Sequence, residues 1–508
     1  MLDVSRLLLL GLVAGLLYVL HRRQSRDPRE PPLVSSRIPL IGHLVGLLWH
    51  GLPYFDMVTA KHPHPICTLD LVFSKSYLVT SPPLVQAVQR NRKSLSFDPF
   101  VSMTLERMAG IRGPVLEQFR EKESGGQGLG HDVVHAMQPT LSGRGLDVMN
   151  ERMAQMLRPR LDELVRLPTI DLFDWCRRVI TAASTDASYG PLNPYQDPRV
   201  EDAFWDFESH MSPLLANFLP WLTARTAWKG REAAVAALVK YYELGGHEEG
   251  SELTYVRWKT MHDAGVPTED IARQEVSMAI GLLSNSVPAT FWVLYDLYSR
   301  PDLLAEIRAE VREHAMRVDA DQRHIVDISA LRDQCPLLLS TFQEILRTRS
   351  VSAPTRFVLQ DVLLADQYLL KAGGVLNMPA ASVGRTTETW GSTADEFDPR
   401  RFIKSENKNP RRTGGFMTFG VSPVICPGRH FACSEILALA VMMVLRVDVT
   451  PVDGVWRVPP MNAQAITSSM RPPKEGIAVR VTPCQDSEGV EWDFEVKAGT
   501  GAFNLMVG

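Results

Sequence analysis

No CxxC pair, no Asn-x-Ser/Thr sequon, no internal repeat, no low-complexity block and no long Gly/Ser linker occur in the 508 residues. The six cysteines, Cys67, Cys176, Cys335, Cys426, Cys433 and Cys484, are scattered. That excludes a disulfide framework and favours a reducing, cytosol-facing environment. There is no excess of basic charge either. A net charge of −4 and a pI near 6.4 supply no pull toward nucleic acid, and no such partner is expected. The length would allow roughly two to four domains, but without a linker one large domain is the simplest reading.

The first twenty residues stand apart. Leu7 to Leu20, LLLLGLVAGLLYVL, is apolar, and counting from Met1 brings it to the roughly 20 residues that span a bilayer. A cleaved signal peptide is the rival reading, but it wants small residues where His21, Arg22 and Arg23 stand. Arg22, Arg23, Arg26 and Arg29 outnumber Arg6 and place the C-terminal side in the cytoplasm. Residues 1–20 are therefore expected to be a membrane anchor. Residues 21–43, with Pro28, Pro31, Pro32 and Pro39, read as an extended basic spacer. The globular body follows over residues 44–508, its last stretch, 482–508, acidic, mixed and unassigned.

Helical signals dominate the body. Glu269 to Leu297 is apolar on more than one side, the pattern of a helix buried mid-domain. Pro301 opens an amphipathic helix, and another is expected from about Pro336 to Arg347. Between Thr355 and Met378, short apolar runs with turn signals suit small strands. The class expected is mainly α with a minor β portion.

One cysteine stands out. In FGVSPVICPGRHFA, Phe419 to Ala432, Pro427 suggests that Cys426 caps the following helix. A thiolate there lies near unpaired N–H groups and the positive end of the helix dipole, which lower its pKa. Gly428 removes a side chain that would obstruct a flat ligand. Three readings stay open on this stretch alone: an ordinary buried cysteine, a sulfur ligand under a planar cofactor, and zinc. Zinc is the weakest, because His430 and Cys433 do not complete a four-ligand set.

Glu344 and Arg347 in FQEILRTRS share a helical face at i and i+3, a pair that surface helices carry constantly. ADEFDPRRF then supplies Phe397, Pro399, Arg401 and Phe402, and the cysteine loop follows about 25 residues after Arg401. In that order, ExxR, FxPxRF and FxxxxxxCPGRxFA resemble the cytochrome P450 family of haem-thiolate oxygenases over essentially the whole chain. The anchor and PPLVSSRIPLIGH resemble the N-terminus of a microsomal member. The resemblance implies the P450 fold, with haem as cofactor and iron bound by Cys426. It implies Phe419 and Gly428 beside the haem and Arg356 on a propionate. Glu344, Arg347 and Arg401 would be a buried triad for folding and haem retention. It further implies an endoplasmic reticulum membrane location and NADPH electrons from a separate NADPH–cytochrome P450 reductase.

The chain departs from the family in places. Ser422 and Val424 replace a glycine and a basic residue before the cysteine, and no Trp-x-x-x-Arg appears around GLGHDVVHAMQPTLSG. Trp221–Arg225 has that spacing in a region read as the access-channel cover, and His131 or His135 is a substitute. Registering on Trp292 and Pro301 puts Ser284 and Asn285 where an acid–threonine pair usually delivers protons. This is similar to the branch with sterol 7α- and 12α-hydroxylases and prostacyclin synthase, and to fungal relatives. Pro288 is expected to kink the helix and free the Ser284 carbonyl for a water. Ser284, Asn285 and that water would form a proton relay, a plain kink being the alternative. By analogy Phe97, Phe100, Ile280, Leu283, Val287 and Val351 would line the pocket. The expected function is oxygen insertion into a lipophilic sterol, terpenoid or other specialised metabolite. The rivals are a reductase-free isomerase or dehydratase, and a non-catalytic haem or lipid binder.

Overall fold

The computed structural model describes residues 26–505 except 37, 39–40, 72–73, 121–127, 404–414, 464, 488, 500 and 504. The expected anchor lies outside the described residues. Helix outweighs strand by 56% to 13%, so the class is mainly α as expected.

The helices that shape the site are α1 (Asp98–Thr104), α2 (Leu129–Thr140), α3 (Gly143–Leu164), α4 (Leu172–Tyr189), α5 (Pro198–Ser209), α6 (Arg225–Glu243), α7 (Thr268–Leu283), α8 (Ser286–Tyr298), α9 (Pro301–His314), α10 (Pro336–Arg349) and α11 (Arg429–Arg446). Every residue of α8 is buried, and α11 is buried from Cys433 to Arg446. Both are apolar around most of their circumference, so they must sit where protein covers every side. They pack on each other, with α4 against α8 and α3 against α11. Each fully buried Leu, Val or Phe there contributes roughly 1.5–3 kcal/mol. By length and composition Thr268–Tyr298 could cross a membrane, but it is the centre of this fold and mostly covered by protein.

The long central helix differs from expectation. It is not one kinked helix but two, α7 and α8, separated at Ser284–Asn285. The break puts Pro288 in the first turn of α8, where backbone N–H groups have no intrahelical partner anyway, so its missing donor costs little.

The strands used below are β1 (Ile66–Asp70), β2 (Lys75–Val79), β3 (Leu95–Ser96), β4 (His324–Asp327), β5 (Thr355–Val358), β6 (Val375–Asn377), β7 (Gly420–Val421), β8 (Val424–Ile425), β9 (Val447–Pro451), β10 (Ala478–Pro483) and β11 (Trp492–Glu495). A five-stranded sheet runs β1-β2-β6-β5-β3. Part of the expected spacer is built into the body: Thr68 of β1 donates its N–H to Pro32 and accepts from Val34. Buried Glu30 pairs with Lys75 at 2.5 Å.

The C-terminal stretch, unassigned from sequence, is ordered by partners far up the chain. β11 pairs in parallel with β4, and Trp492 is buried. Phe503 donates its N–H to His430 Nδ1 at 3.1 Å, on the first turn of α11.

Candidate active site

The cysteine loop is a short hairpin, β7–β8, leading into α11. Gly420 has φ +97°, and a Cβ there would lie 2.4 Å from the Val424 carbonyl oxygen, so only glycine makes this turn. Cys426 N–H closes the loop on the Phe419 carbonyl at 2.8 Å. The N-cap of α11 is Gly428, not Cys426, which lies two residues before it. The expected low thiol pKa is also reversed. Burial pushes it up, against opposing N–H groups of Gly428 and Arg429 and the Arg429 charge.

Cys426 nonetheless has accessible surface. Deep desolvation and accessibility coexist only if the sulfur borders an interior space. Gly428 points to the same arrangement: its φ is an ordinary −82°, so the backbone does not demand glycine, and a Cβ would meet nothing within 4 Å. Gly281, on the last turn of α7, likewise borders open space.

Behind the loop, Glu344, Arg347 and Arg401 meet in one buried cluster. Arg347 donates to both carboxylate oxygens of Glu344 at 2.7 Å, and Arg401 Nε donates to both at 3.1 Å. The remaining guanidinium donors are spent on carbonyls: Arg347 on Gly384, Ala394 and Glu396, Arg401 on Thr393 and Glu396. Glu344 also accepts from Asp398 N–H at 2.9 Å. The cluster thus ties α10 to the chain between 384 and 402.

Arg356, on β5, is buried and donates to the carbonyls of Thr355 and Val421 at 2.8 and 2.7 Å. Burial lowers its pKa to about 10, opposed only by the charge of Asp98. Phe97 lies 6.0 Å from its guanidinium and 5.2 Å from Phe100, both half-buried.

The α7–α8 break is held by a segment that sequence reading passed over, Ile466–Met470. Pro288 does free the Ser284 carbonyl, but Ser468 Oγ donates to it at 2.7 Å. Its first partner is therefore protein rather than a relay water. Asn285 Oδ1 accepts Ser469 N–H at 2.7 Å and Ser469 Oγ at 3.0 Å, so this oxygen serves as a clamp. Val351 N–H reaches the Ser469 carbonyl at 2.8 Å.

Residues 31–479 match the family described as cytochrome P450. The chain belongs to the cytochrome P450 family. It is 42% identical over 506 residues to cytochrome P450 monooxygenase nodJ of Hypoxylon pulicicidum, covering 97% of each chain. It is 25% identical to 7-alpha-hydroxycholest-4-en-3-one 12-alpha-hydroxylase of Oryctolagus cuniculus, covering 93% of this chain and 97% of that one. In fold it is similar to retinoic acid bound cyanobacterial CYP120A1, with TM-score 0.68 at 16% identity, over 90% of this chain and 99% of that one.

As a P450, the protein is an oxidoreductase whose cofactor is haem held through a cysteine thiolate. The residues present fit that group. Cys426 borders an interior space, Gly428 leaves clear the volume a Cβ would fill, and Arg356 is a buried cation with no carboxylate bonded to it among the described residues. A coordinated metal deprotonates a thiol outright, which overrides the burial that holds Cys426 neutral.

Other expected residues fall elsewhere. Leu283 and Val287 have no accessible surface and pack into the core, whereas Ile280 and Val351 keep some. Trp221 is 55% exposed and Arg225 is exposed, so this pair faces outward. His131 and His135 stack on each other at 6.1 Å along an exposed stretch of α2. Sequence reasoning missed Thr467, Ser468, Ser469 and, across from them, Glu208. The hydroxyl run TSS was the one local signal.

Proposed function

We propose that this P450 is a membrane-anchored monooxygenase of the endoplasmic reticulum, with its catalytic body facing the cytoplasm. It inserts one oxygen atom from O2 into a lipophilic sterol, terpenoid or other specialised metabolite. Electrons come from NADPH through NADPH–cytochrome P450 reductase. The observation that carries this reading is Cys426, desolvated yet accessible beside the side-chain-free Gly428. Bound haem would supply oxygen activation, and thiolate ligation would favour O–O cleavage.

The chain's own residues hold and orient. Cys426 would hold the iron and Arg356 would neutralise a propionate, with Phe419 and Gly428 as the neighbouring haem-binding residues. Glu344, Arg347 and Arg401 keep the cysteine loop in register. Ser284, buried with an unpartnered hydroxyl, handles protons, and Asn285 fixes the turn that presents it. Phe97, Phe100, Ile280 and Val351 keep accessible surface to meet substrate. Similarity to fungal monooxygenases and sterol hydroxylases supports the substrate class.

A second reading, rearrangement or dehydration of an oxidised substrate without a reductase, draws on the lack of a carboxyl at 284 and 285. Deleting the gene in its host and comparing the masses of the compound that accumulates and the one that disappears separates the two. A difference of one oxygen atom, reproduced in membranes only with NADPH, is expected. Isomers, or a difference of water, would sink the monooxygenase reading.

A further inference from the structure

The α7–α8 turn has no carboxyl of its own, yet the fold brings one to it from another helix. Glu208 is the penultimate residue of α5. Its Oε1 accepts Thr467 Oγ1 at 2.6 Å, and its Oε2 lies 3.5 Å from Ser209 Oγ, on an exposed residue. The Ser284 hydroxyl is the third polar group it interacts with. That hydroxyl belongs to a residue 1% exposed and has no hydrogen-bond partner among the described residues, so its interaction with Glu208 falls short of hydrogen-bond geometry. Buried hydroxyls are rarely left so.

Thr467 alone could be a structural tie between α5 and the 466–470 segment. It does not explain why a carboxyl and an unpartnered hydroxyl sit together at the acid position of the distal turn. Nor does it explain the carboxyl's environment. Burial raises the Glu208 pKa from its ordinary value, with Thr467, Ser284 and Ser209 pulling back, and no charged group among the described residues contributes. A shift in that direction suits a group that gives up protons.

We propose that Glu208 is the proton source for Ser284: the carboxylic acid gives its proton to Ser284 Oγ, Ser284 passes its own hydroxyl proton into the site, and solvent reprotonates Glu208 past Ser209. The inference rests on the monooxygenase reading. There, O2, two electrons from NADPH through the reductase and two protons from solvent convert the C–H bond to C–OH and release one water. Because Glu208 acts through Ser284, it is a positioning and proton-supplying residue, and a rotamer movement of one of the two completes their contact. Thr467 holds the carboxyl in place.

The test uses the full-length enzyme in membranes with its reductase, and as substrate the compound that accumulates in the deletion host. Wild type must first form product with NADPH and O2; failure there overturns the monooxygenase reading, not the role of Glu208. Glu208→Gln keeps the acceptor for Thr467 and removes the acid. We expect unchanged haem content by the reduced-CO spectrum and an unchanged substrate-induced spectral dissociation constant. Product formation falls roughly a hundredfold, the lower end of what a positioned acid contributes, while NADPH oxidation continues and ends in peroxide. The pH profile loses one limb, and an infrared band of a protonated carboxyl disappears. Ser284→Ala reproduces the uncoupling, and the double variant is no worse than either single one.

An unchanged ratio of product to NADPH with an unchanged pH profile would overturn the proposal. So would a loss confined to substrate binding, which would make Glu208 a substrate contact. If Glu208→Gln loses haem, Glu208→Asp and Ser284→Ala decide: both must keep haem, the first recovering coupling and the second not.

Discussion

Arg356 and Glu435 carry ionisable groups into the interior, and each poses a question that solution measurement can answer. Among the described residues Arg356 has carbonyls as hydrogen-bond partners, the Phe97 ring nearby and the charge of Asp98. A buried cation so poorly matched needs an anion, and a haem propionate would be one. Arg356→Leu is expected to fold but to lose haem to a scavenging apoglobin faster. A charge-assisted hydrogen bond contributes about 1.5–3 kcal/mol, so the rate should rise about 10- to 100-fold; equal rates would remove Arg356 from the haem site. Glu435, inside α11, accepts Ser184 Oγ at 2.6 Å through one oxygen, while the other has no partner among the described residues. Burial raises its pKa from 4.5 to about 8. Its folded state therefore favours the proton, and stability present below pH 4.5 drains away as pH rises toward 8. Glu435→Gln keeps the Ser184 bond and cannot titrate, so its melting temperature should vary less between pH 6 and about 8 than that of wild type. Parallel curves would show that the carboxyl is not held neutral. The meeting of Glu344, Arg347 and Arg401 was legible in sequence because short motifs carry them, as one carries the proposed ligand Cys426. Glu208 was not, because its partner Thr467 is 259 residues away and neither residue stands in a recognisable pattern.

Elements here are joined by a few polar ties that decide where the site residues point. The buried triad is one of them. Removing one partner of a buried pair costs about 3–5 kcal/mol because the other charge is left behind. Glu344→Ala strands two guanidiniums, so it should cost more than Arg401→Ala, whose loss leaves the Arg347–Glu344 pair intact. Denaturation midpoints and haem content check the order, and equal losses would mean that Arg401 carries as much as the pair. The clamp at the α7–α8 break is the second tie. Asn285→Ala deprives Ser469 of its acceptor and should cost about 1–3 kcal/mol, whereas Asn285→Asp keeps the acceptor and most of the stability. Sequence placed the helices, since apolar periodicity and Pro301 and Pro336 are local. It did not resolve the break, because whether a proline kinks a helix or starts a new one depends on what receives the freed carbonyl. Here that is Ser468. The C-terminal stretch was illegible for the same reason: β11 becomes a strand by pairing with β4.

At the scale of the whole molecule, two groups of exposed apolar side chains bear on the proposed membrane association. Leu48 and Trp49, in the helix Gly42–His50, are 79% and 78% exposed, and Phe218, Trp221 and Leu222 are 66%, 55% and 60% exposed. The two groups are far apart in sequence but hang from one segment. Arg471 Nη2 donates to the His50 carbonyl at 3.2 Å, and Thr467 donates to Glu208, just ahead of the second group. The first group follows directly on the spacer and the expected anchor. Clusters of exposed apolar side chains mark interaction sites. Partial immersion of Trp49, Phe218, Trp221 and Leu222 at about 1 kcal/mol each, less than full burial would give, amounts to about 4 kcal/mol. That corresponds to roughly a thousandfold in partitioning. A chain lacking residues 1–20 should thus still sediment in part with vesicles, and replacing these four side chains by serine should release it. The same serines in the full chain should leave it bound if residues 1–20 are the expected anchor. If the shortened chain stays wholly in the supernatant before any serine is introduced, the apolar side is not a membrane surface. If the full-length serine variant is released, residues 1–20 are not an anchor.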